Sequence, residues 1–430
     1  MTKKYNTYYT TSFRRKLPAE KKLFFMKIRL SILVFLQFFI YGAITPIISL
    51  YLINYLHFSG TQAGFIIGLS SLSAFVSPLI GAFIADRVIH SERLYSICFV
   101  LSGFVMWILI GQKDYLTVLL LLLVYYLISG PTFGLLNAII FHHLPDSKKS
   151  YGSIRIWGTI GWIAVAWILG FFWLRSSGSS IVLERLPEAL KLSVYCSIIL
   201  GLYGFTLPLS HAHSELSKKL IPVESVEVFK KFPVIFISIF SFFITIVDRY
   251  YYFGIAPFLR SMGFSESSLM PLMSIGQIPE LFAMGLLGFI LSKKGFKSVI
   301  ATGIILEMFR FFLFSMGNFL PFLLLGISFH GIAYTLFFAS VTIFLDSHCT
   351  KKARTGVHQL FSIINAGFGN FFGSFLAGKT MDAFRGANGV GTNYFSFWMV
   401  PGIISALVLI AFLIVFRNGS RVALKDVTEP

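Results

Sequence analysis

Residues 232–259 read FPVIFISIFSFFITIVDRYYYFGIAPFL, and only Asp248 and Arg249 among them are charged. As an α-helix this run would be about 42 Å long, enough to cross a hydrocarbon layer about 30 Å thick. The two charges stand near the middle of the run rather than at its ends. A charge at that depth is costly, and it usually pairs with another charge or lines a water-filled path. One stretch therefore gives both a membrane-spanning helix and a polar centre inside the membrane.

Eleven further stretches of the same character flank it. The twelve spans run near 28–55, 60–84, 93–111, 115–141, 153–174, 190–210, 232–259, 266–292, 297–316, 319–345, 356–378 and 394–416. The composition agrees: 56% hydrophobic residues and 13% charged ones leave a chain of 430 residues too little polar surface to cover a soluble core. The other conspicuous charges within spans are Arg155, Glu280, and Glu307 with Arg310.

The net charge of +18 would suit a nucleic-acid partner if it formed one patch. It does not. Most of the Lys and Arg residues lie in the N-terminal tail and in alternate loops, among them Lys3, Arg14, Lys21, Arg87, Lys148, Lys218, Lys293, Lys351 and Arg417. This is the positive-inside bias, which places both termini in the cytoplasm and points to the lipid bilayer rather than nucleic acid as the surrounding partner. No cleavable signal peptide is apparent, because the first 27 residues are basic and polar. The three cysteines, Cys98, Cys196 and Cys349, form no disulfide framework or metal-ligand spacing. No phosphate-binding Gly-Lys-Ser/Thr loop and no zinc, esterase or haem motif occurs, so ATP hydrolysis in cis and enzyme chemistry are not expected, and neither is a cofactor beyond a coupling proton. The histidine pair His142-His143 shows no nearby partner ligands in the sequence.

Organisation follows from the loops. A basic tail (1–27) precedes a six-helix bundle (28–210), a polar cytoplasmic linker (211–231), a second six-helix bundle (232–416) and a short cytoplasmic tail (417–430). The halves look related. Gly130-Pro-Thr-Phe-Gly134 parallels Gly331-Ile-Ala-Tyr-Thr335, and each is followed by an Asp (Asp146, Asp346) and a Lys pair. Pro78-Leu-Ile-Gly81 with Asp86-Arg87 loosely parallels Gly285-Leu-Leu-Gly288 with Lys293-Lys294. Duplicated bundles with a binding site between them at mid-membrane are the design of many secondary carriers.

Helical spacing puts Arg155, Thr159 and Trp162 on one stripe, a planar cation with a hydroxyl and an aromatic face. Gln277 and Glu280 share a face of the eighth span, with Pro279 between them. Glu280 has no opposite charge at helical spacing within its span, which suits a group that takes up a proton. Asp248 is the second choice for that role. Arg249 and Tyr252 nearly share a face and add stacking and hydroxyl groups. Glu307 and Arg310, three apart, read as a structural ion pair. Smaller polar signals are Gln37, Tyr41, Thr132, Asn137, His330 and Tyr334. Most such groups in spans serve interhelical hydrogen bonds. Gln37, Asn137 and Tyr334 are kept as binding candidates.

Pro131-Thr-Phe-Gly-Leu-Leu-Asn137, Ile154-Arg-Ile-Trp-Gly-Thr-Ile-Gly161 and the Gln277/Glu280 pair together resemble the nucleoside:proton symporter family of the major facilitator superfamily. The resemblance implies nucleoside binding at Arg155, Thr159 and Trp162, and binding with proton coupling at Gln277 and Glu280. Two positions depart from that family: Tyr334-Thr335 stands where it has an aromatic-Asp pair, and Arg249 and Tyr252 stand near positions where it has amides. A neighbouring family of aromatic-acid and oligosaccharide carriers shares the Arg-x-x-Gly and Gly-Trp features of span five. The expectation is an all-α, monomeric, proton-coupled carrier importing a nucleoside or a similar polar aromatic solute across the bacterial-type inner membrane. Carriage of aromatic acids or sugars, membrane-embedded lipid enzymology and a non-transporting sensor are the rivals.

Overall fold

The computed structural model describes residues 19–80, 89–144, 147–173, 185–209, 223–317, 319–350, 353–386 and 391–416. The chain is all-helical. Its membrane-length elements are α1 (Leu23–Tyr55), α3 (Ser91–Leu109), α4 (Tyr115–His143), α5 (Tyr151–Phe172), α6 (Leu186–Gly204), α7 (Phe232–Ser261), α10 (Leu320–Ser347), α11 (Gly356–Ala383) and α12 (Tyr394–Val415). A shorter apolar helix, α2 (Gly60–Val76), follows α1. The run Ser267–Ser315 has 49 residues, which would extend about 73 Å if straight, more than twice the apolar thickness of a bilayer. It is broken at Gly295, whose φ of 72° and ψ of 166° are open to glycine and not to residues with a Cβ. The two parts are α8 (267–294) and α9 (296–315). Ten segments of the described residues are long and apolar enough to cross a membrane when Ser267–Ser315 is taken whole.

The outward faces are apolar. Phe172 (80% exposed), Phe282 and Ile414 stand free on the surface, as in a protein solvated by lipid. Three helix starts carry side-chain caps: Ser59 with Gln62 forms a capping box at α2, Asp114 accepts from Thr117 N at α4, and Asn393 accepts from Ser396 N at α12. Several helices are interrupted. Pro46 breaks α1 between Ile44 and Ile48, and Gly130-Pro131 breaks α4. Stretches of π-helix occur at Tyr51–Tyr55, Leu169–Trp173, Thr335–Ala339 and Ile363–Gly369. The breaks in α4 and α10 fall at the paired Gly130 and Gly331 segments of the two halves.

Each half packs on itself: α1 against α5 and α6, α3 against α4 and α6, α7 against α11 and α12, and α9 against α10 and α12. The halves meet chiefly along two seams, α2 with α11 and α5 with α8, and the Ile48–Leu50 part of α1 also packs on α7. At the end bearing residues 56–59, 384–386 and 391–393 the apolar core is continuous across both halves, from Tyr51 and Leu122 to Tyr251 and Trp398. Toward the chain termini it divides in two, one cluster around Leu33, Phe99 and Ile139, the other around Ile237, Val299 and Phe344. The closed end is fastened by Asp382 of α11. Its Oδ1 accepts from Gly60 N at 2.8 Å, and its Oδ2 accepts from Thr61 N at 2.7 Å and from the Thr61 hydroxyl at 2.6 Å. A carboxylate from one half thus caps the first turn of a helix in the other.

Two sequence expectations need correction or limit. The segment 211–231 reads as a linker, yet Val223–Phe229 forms a helix whose Ser225 donates to Ala353 O, with Val228 buried beneath it. Residues 211–222, both tails' outer parts, and Asp86, Arg87, Asp146, Lys351 and Lys352 lie outside the described residues.

Candidate functional site

A cavity of about 390 Å³ lies between the halves, a size suited to a small organic solute. Tyr41, Ser70, Tyr126 and Trp162 line it from the first half, and Arg249, Tyr252, Asn370 and Ser374 from the second. The breaks in α1 and α4 bring Thr45 and Gly130 to its wall. Tyr41 is held in place by its hydroxyl, which donates to Ser129 O at 2.8 Å, and by Phe133, whose ring centroid is 4.6 Å away. Much of the wall is aromatic, which gives broad stacking surfaces to a planar ligand.

A smaller cavity adjoins it, lined by Trp162, Tyr252, Ser274, Gln277 and His330. Trp162 belongs to both. With the Gln277 amide oriented to satisfy both its ends, its oxygen accepts from Trp162 Nε1 at 3.2 Å and its nitrogen donates to Ser274 O at 3.0 Å. This contact ties α5 to α8 at the site. One turn further along α8 stands Glu280, half-buried and without an ion pair among the described residues. Its position is set by α10. Gly331 packs so tightly on α8 that a methyl group there would collide with Gly276 O and lie 2.8 Å from Glu280 Cβ. Glu280 is within electrostatic range of Arg155, Tyr252 and Tyr334. The Arg155 guanidinium stacks on Phe38, 4.2 Å from the ring centroid.

Beside the cavity is a buried charge cluster. Arg249 Nη2 donates to Asp248 Oδ2 at 2.7 Å, and the Arg249 guanidinium lies 4.4 Å from the Tyr252 ring centroid. Arg310, fully buried, donates to Asp248 Oδ1 at 3.3 Å and to Glu307 Oε1 at 2.5 Å. Arg310 also donates to His330 Nδ1. A guanidinium only donates, so His330 Nδ1 offers a lone pair and the imidazole carries no charge here. His330 is clamped against Tyr251, with centroids 4.1 Å apart. Glu307 and Arg310 are therefore in contact, but within a larger group reaching α7 and α10.

A family model described as nucleoside H+ symporter matches residues 24–421. The chain belongs to the nucleoside H+ symporter family. Similar proteins include the putative nucleoside transporter YegT of Escherichia coli K12, 27% identical over 407 residues, covering 91% of this chain and 94% of that one. The xanthosine permease of the same organism is 26% identical over 411 residues, covering 90% and 95%. Among solved structures, that of nucleoside transporter NupG superposes with a TM-score of 0.80 at 24% identity, covering 91% of this chain and 99% of that one. Membership makes the chain a membrane transporter of the major facilitator fold, not an enzyme. It does not favour the aromatic-acid and sugar rivals.

As a member of this symporter family the chain arranges its candidate residues unevenly. Trp162, Arg249 and Tyr252 line the main cavity; Gln277 lines the smaller one. Arg155, Thr159, Glu280 and Tyr334 line neither. Gln37 is fully buried inside the first half, where its Oε1 accepts from the Tyr95 hydroxyl at 2.8 Å. Asn137 is exposed and accepts from the Tyr151 hydroxyl at 2.9 Å. Asp248 is not open to solvent: two guanidinium groups hold its two oxygens. Sequence reasoning passed over Tyr126, Asn370 and Ser374, since tyrosines and small polar residues in spans carry no pattern of their own. It also read His143 as lacking a partner, whereas His143 Nε2 lies 2.9 Å from Glu92 Oε1, an acid at the start of α3 that the sequence places 51 residues away.

Proposed function

We propose that this transporter carries nucleosides together with a proton, by exposing the cavity between its halves alternately to the two sides of the bilayer. The observation that carries this reading is the shared wall: Trp162 of one half and Gln277 of the other line the same small cavity at the seam, and Trp162 also lines the main one. A planar base can stack on Trp162 and Tyr252 while Gln277 and Arg249 offer amide and guanidinium groups to its edges. The half-buried Glu280, with no ion pair and with Arg155 in electrostatic range, is suited to load and unload a proton. In this reading Asp248 serves the charge cluster and is not the carrier. The similarity of the chain to a putative nucleoside transporter and to a xanthosine permease supports the substrate class.

The Lys and Arg distribution supports cytoplasmic termini in an inner membrane. The continuous core would then close the outer side, and the divided core would face the cytoplasm. The chain is taken to act as a monomer, since each half completes the other's cavity. The test is uptake by proteoliposomes of labelled uridine and adenosine beside an aromatic acid and a disaccharide. Saturable uptake of either nucleoside, competed by the other, is expected. Uptake of the acid or disaccharide with neither nucleoside bound would overturn the substrate class.

A further inference from the structure

The main cavity is lined with hydroxyl and aromatic groups, and Arg249 is the only charged residue among its described lining. No carboxylate faces the solute from that wall. Arg249 reaches the space with its side chain 25% exposed, while its partner Asp248 lies behind it at 3%. Asp248 is also shared with Arg310, so Arg249 holds only one of its oxygens.

A charge count gives this consequence. Asp248 and Glu307 balance Arg249 and Arg310, and His330 is neutral because its Nδ1 accepts from Arg310. Arg155 and Glu280 balance each other within electrostatic range. With these carboxyls counted as ionised, the empty centre is neutral. Once Glu280 takes its proton the centre carries one uncompensated positive charge in a poorly solvated place, which is costly. A neutral solute leaves that charge standing. A solute with one negative charge cancels it, and the guanidinium that reaches the cavity is the group placed to receive it.

We propose that the preferred solute is a nucleoside bearing a negative charge, and that Arg249 is its counter-ion. The proposal rests on the nucleoside reading and on Glu280 as the proton carrier. The charge can sit on an ionised base or on a phosphate. The shared feature is an anion within reach of Arg249, in a cavity whose remaining walls suit a ring and hydroxyl groups.

The experiment measures equilibrium binding of labelled xanthosine, a dioxopurine whose base ionises near neutral pH, to the purified full chain. Labelled adenosine, whose base stays uncharged, is measured beside it at acidic and at mildly alkaline pH. Because protonation of Glu280 itself favours the anion on this account, the ratio of the two affinities is measured in Glu280→Gln, where that position is uncharged at both pH values and the ratio isolates ligand charge. The ratio is expected to rise about tenfold between the acidic and alkaline conditions. In Arg249→Gln that rise should vanish, and in Arg249→Lys part of it should remain, since the positive charge is kept. Uridine 5′-phosphate against uridine is the phosphate arm: a gain for the phosphate that depends on Arg249 supports the proposal with the charge on the phosphate. A flat ratio in Glu280→Gln with no gain for the phosphate overturns it. So does a rise that persists in Arg249→Gln. Adenosine and uridine binding with no preference for either anion would leave the nucleoside reading standing while the charge proposal fails. Binding of none of the four would sink both.

Discussion

Trp162 touches both cavities and spans the seam through Gln277, so two functions meet in one side chain. Its ring offers a stacking face and its Nε1 a hydrogen bond. Trp162→Phe keeps the face and loses the bond; Trp162→Ala loses both. Nucleoside affinity should fall by roughly 1–3 kcal/mol in the alanine variant and by much less in the phenylalanine variant, by the usual worth of base–aromatic stacking. Equal losses in the two, measured by ligand binding, would show that the hydrogen bond across the seam matters and the stack does not. The buried cluster gives a second prediction. Arg310→Leu leaves Glu307 without a cation and Asp248 with one fewer, and should cost roughly 3–5 kcal/mol of stability. Removing Glu307 as well leaves Asp248 paired to Arg249, so the double variant should melt at a higher temperature than Arg310→Leu alone. A double variant less stable than the single one would mean that Glu307 has partners other than Arg310. At this scale the sequence was half legible. Arg155, Gln277 and Glu280 stand out because charge and amide are rare in apolar runs, and of the three Gln277 lines a cavity. Gln37 and Asn137 carry the same signal, yet they are spent on Tyr95 and Tyr151. Rarity marks a polar group in a span without saying which neighbour satisfies it.

At the scale of elements, the seams decide how the halves can part. Asp382 caps the first turn of α2 through Gly60 and Thr61, and it is itself approached by Arg385 Nη2 at 3.1 Å. Asp382→Ala removes a cap across the halves and should lower thermal stability by about 1 kcal/mol, in the range of other helix caps. It should also make a cysteine placed at Thr61 react faster with a membrane-impermeant thiol reagent, because the closed end opens more often. A labelling rate unchanged by Asp382→Ala would reduce the cap to a local contact. Helix positions were readable from hydropathy to within a few residues: 394–416 in sequence against Tyr394–Val415 in structure, for example. Irregularities were less so. The spans 28–55 and 115–141 read as continuous, although Pro46 and Pro131 mark their breaks because proline removes a backbone donor. The π-helix at Thr335–Ala339, which packs on Gly303 of α9, has no such marker. The helix Val223–Phe229 was hidden for a related reason: its apolar contacts are too few to show as a pattern in a polar segment.

At the scale of the whole molecule, two bundles joined by one apolar core at one end and separated at the other enclose a cavity that neither could form alone. Such a shape permits the closed and open ends to exchange by rocking, without unfolding either half. On the proposed reading, coupling requires that one titratable group be emptied and filled as the cavity changes sides, and Glu280, half-buried and without an ion pair among the described residues, is assigned to it. Proteoliposomes containing the unaltered protein or Glu280→Gln, loaded with a pH-sensitive dye and given an inward proton gradient, test this most directly. The unaltered protein should accumulate labelled nucleoside above its outside concentration, with protons entering in step. Glu280→Gln should still bind nucleoside and exchange it across the membrane, but without accumulation or proton entry. Concentrative uptake with unchanged proton movement in Glu280→Gln would contradict the assignment of coupling to this residue.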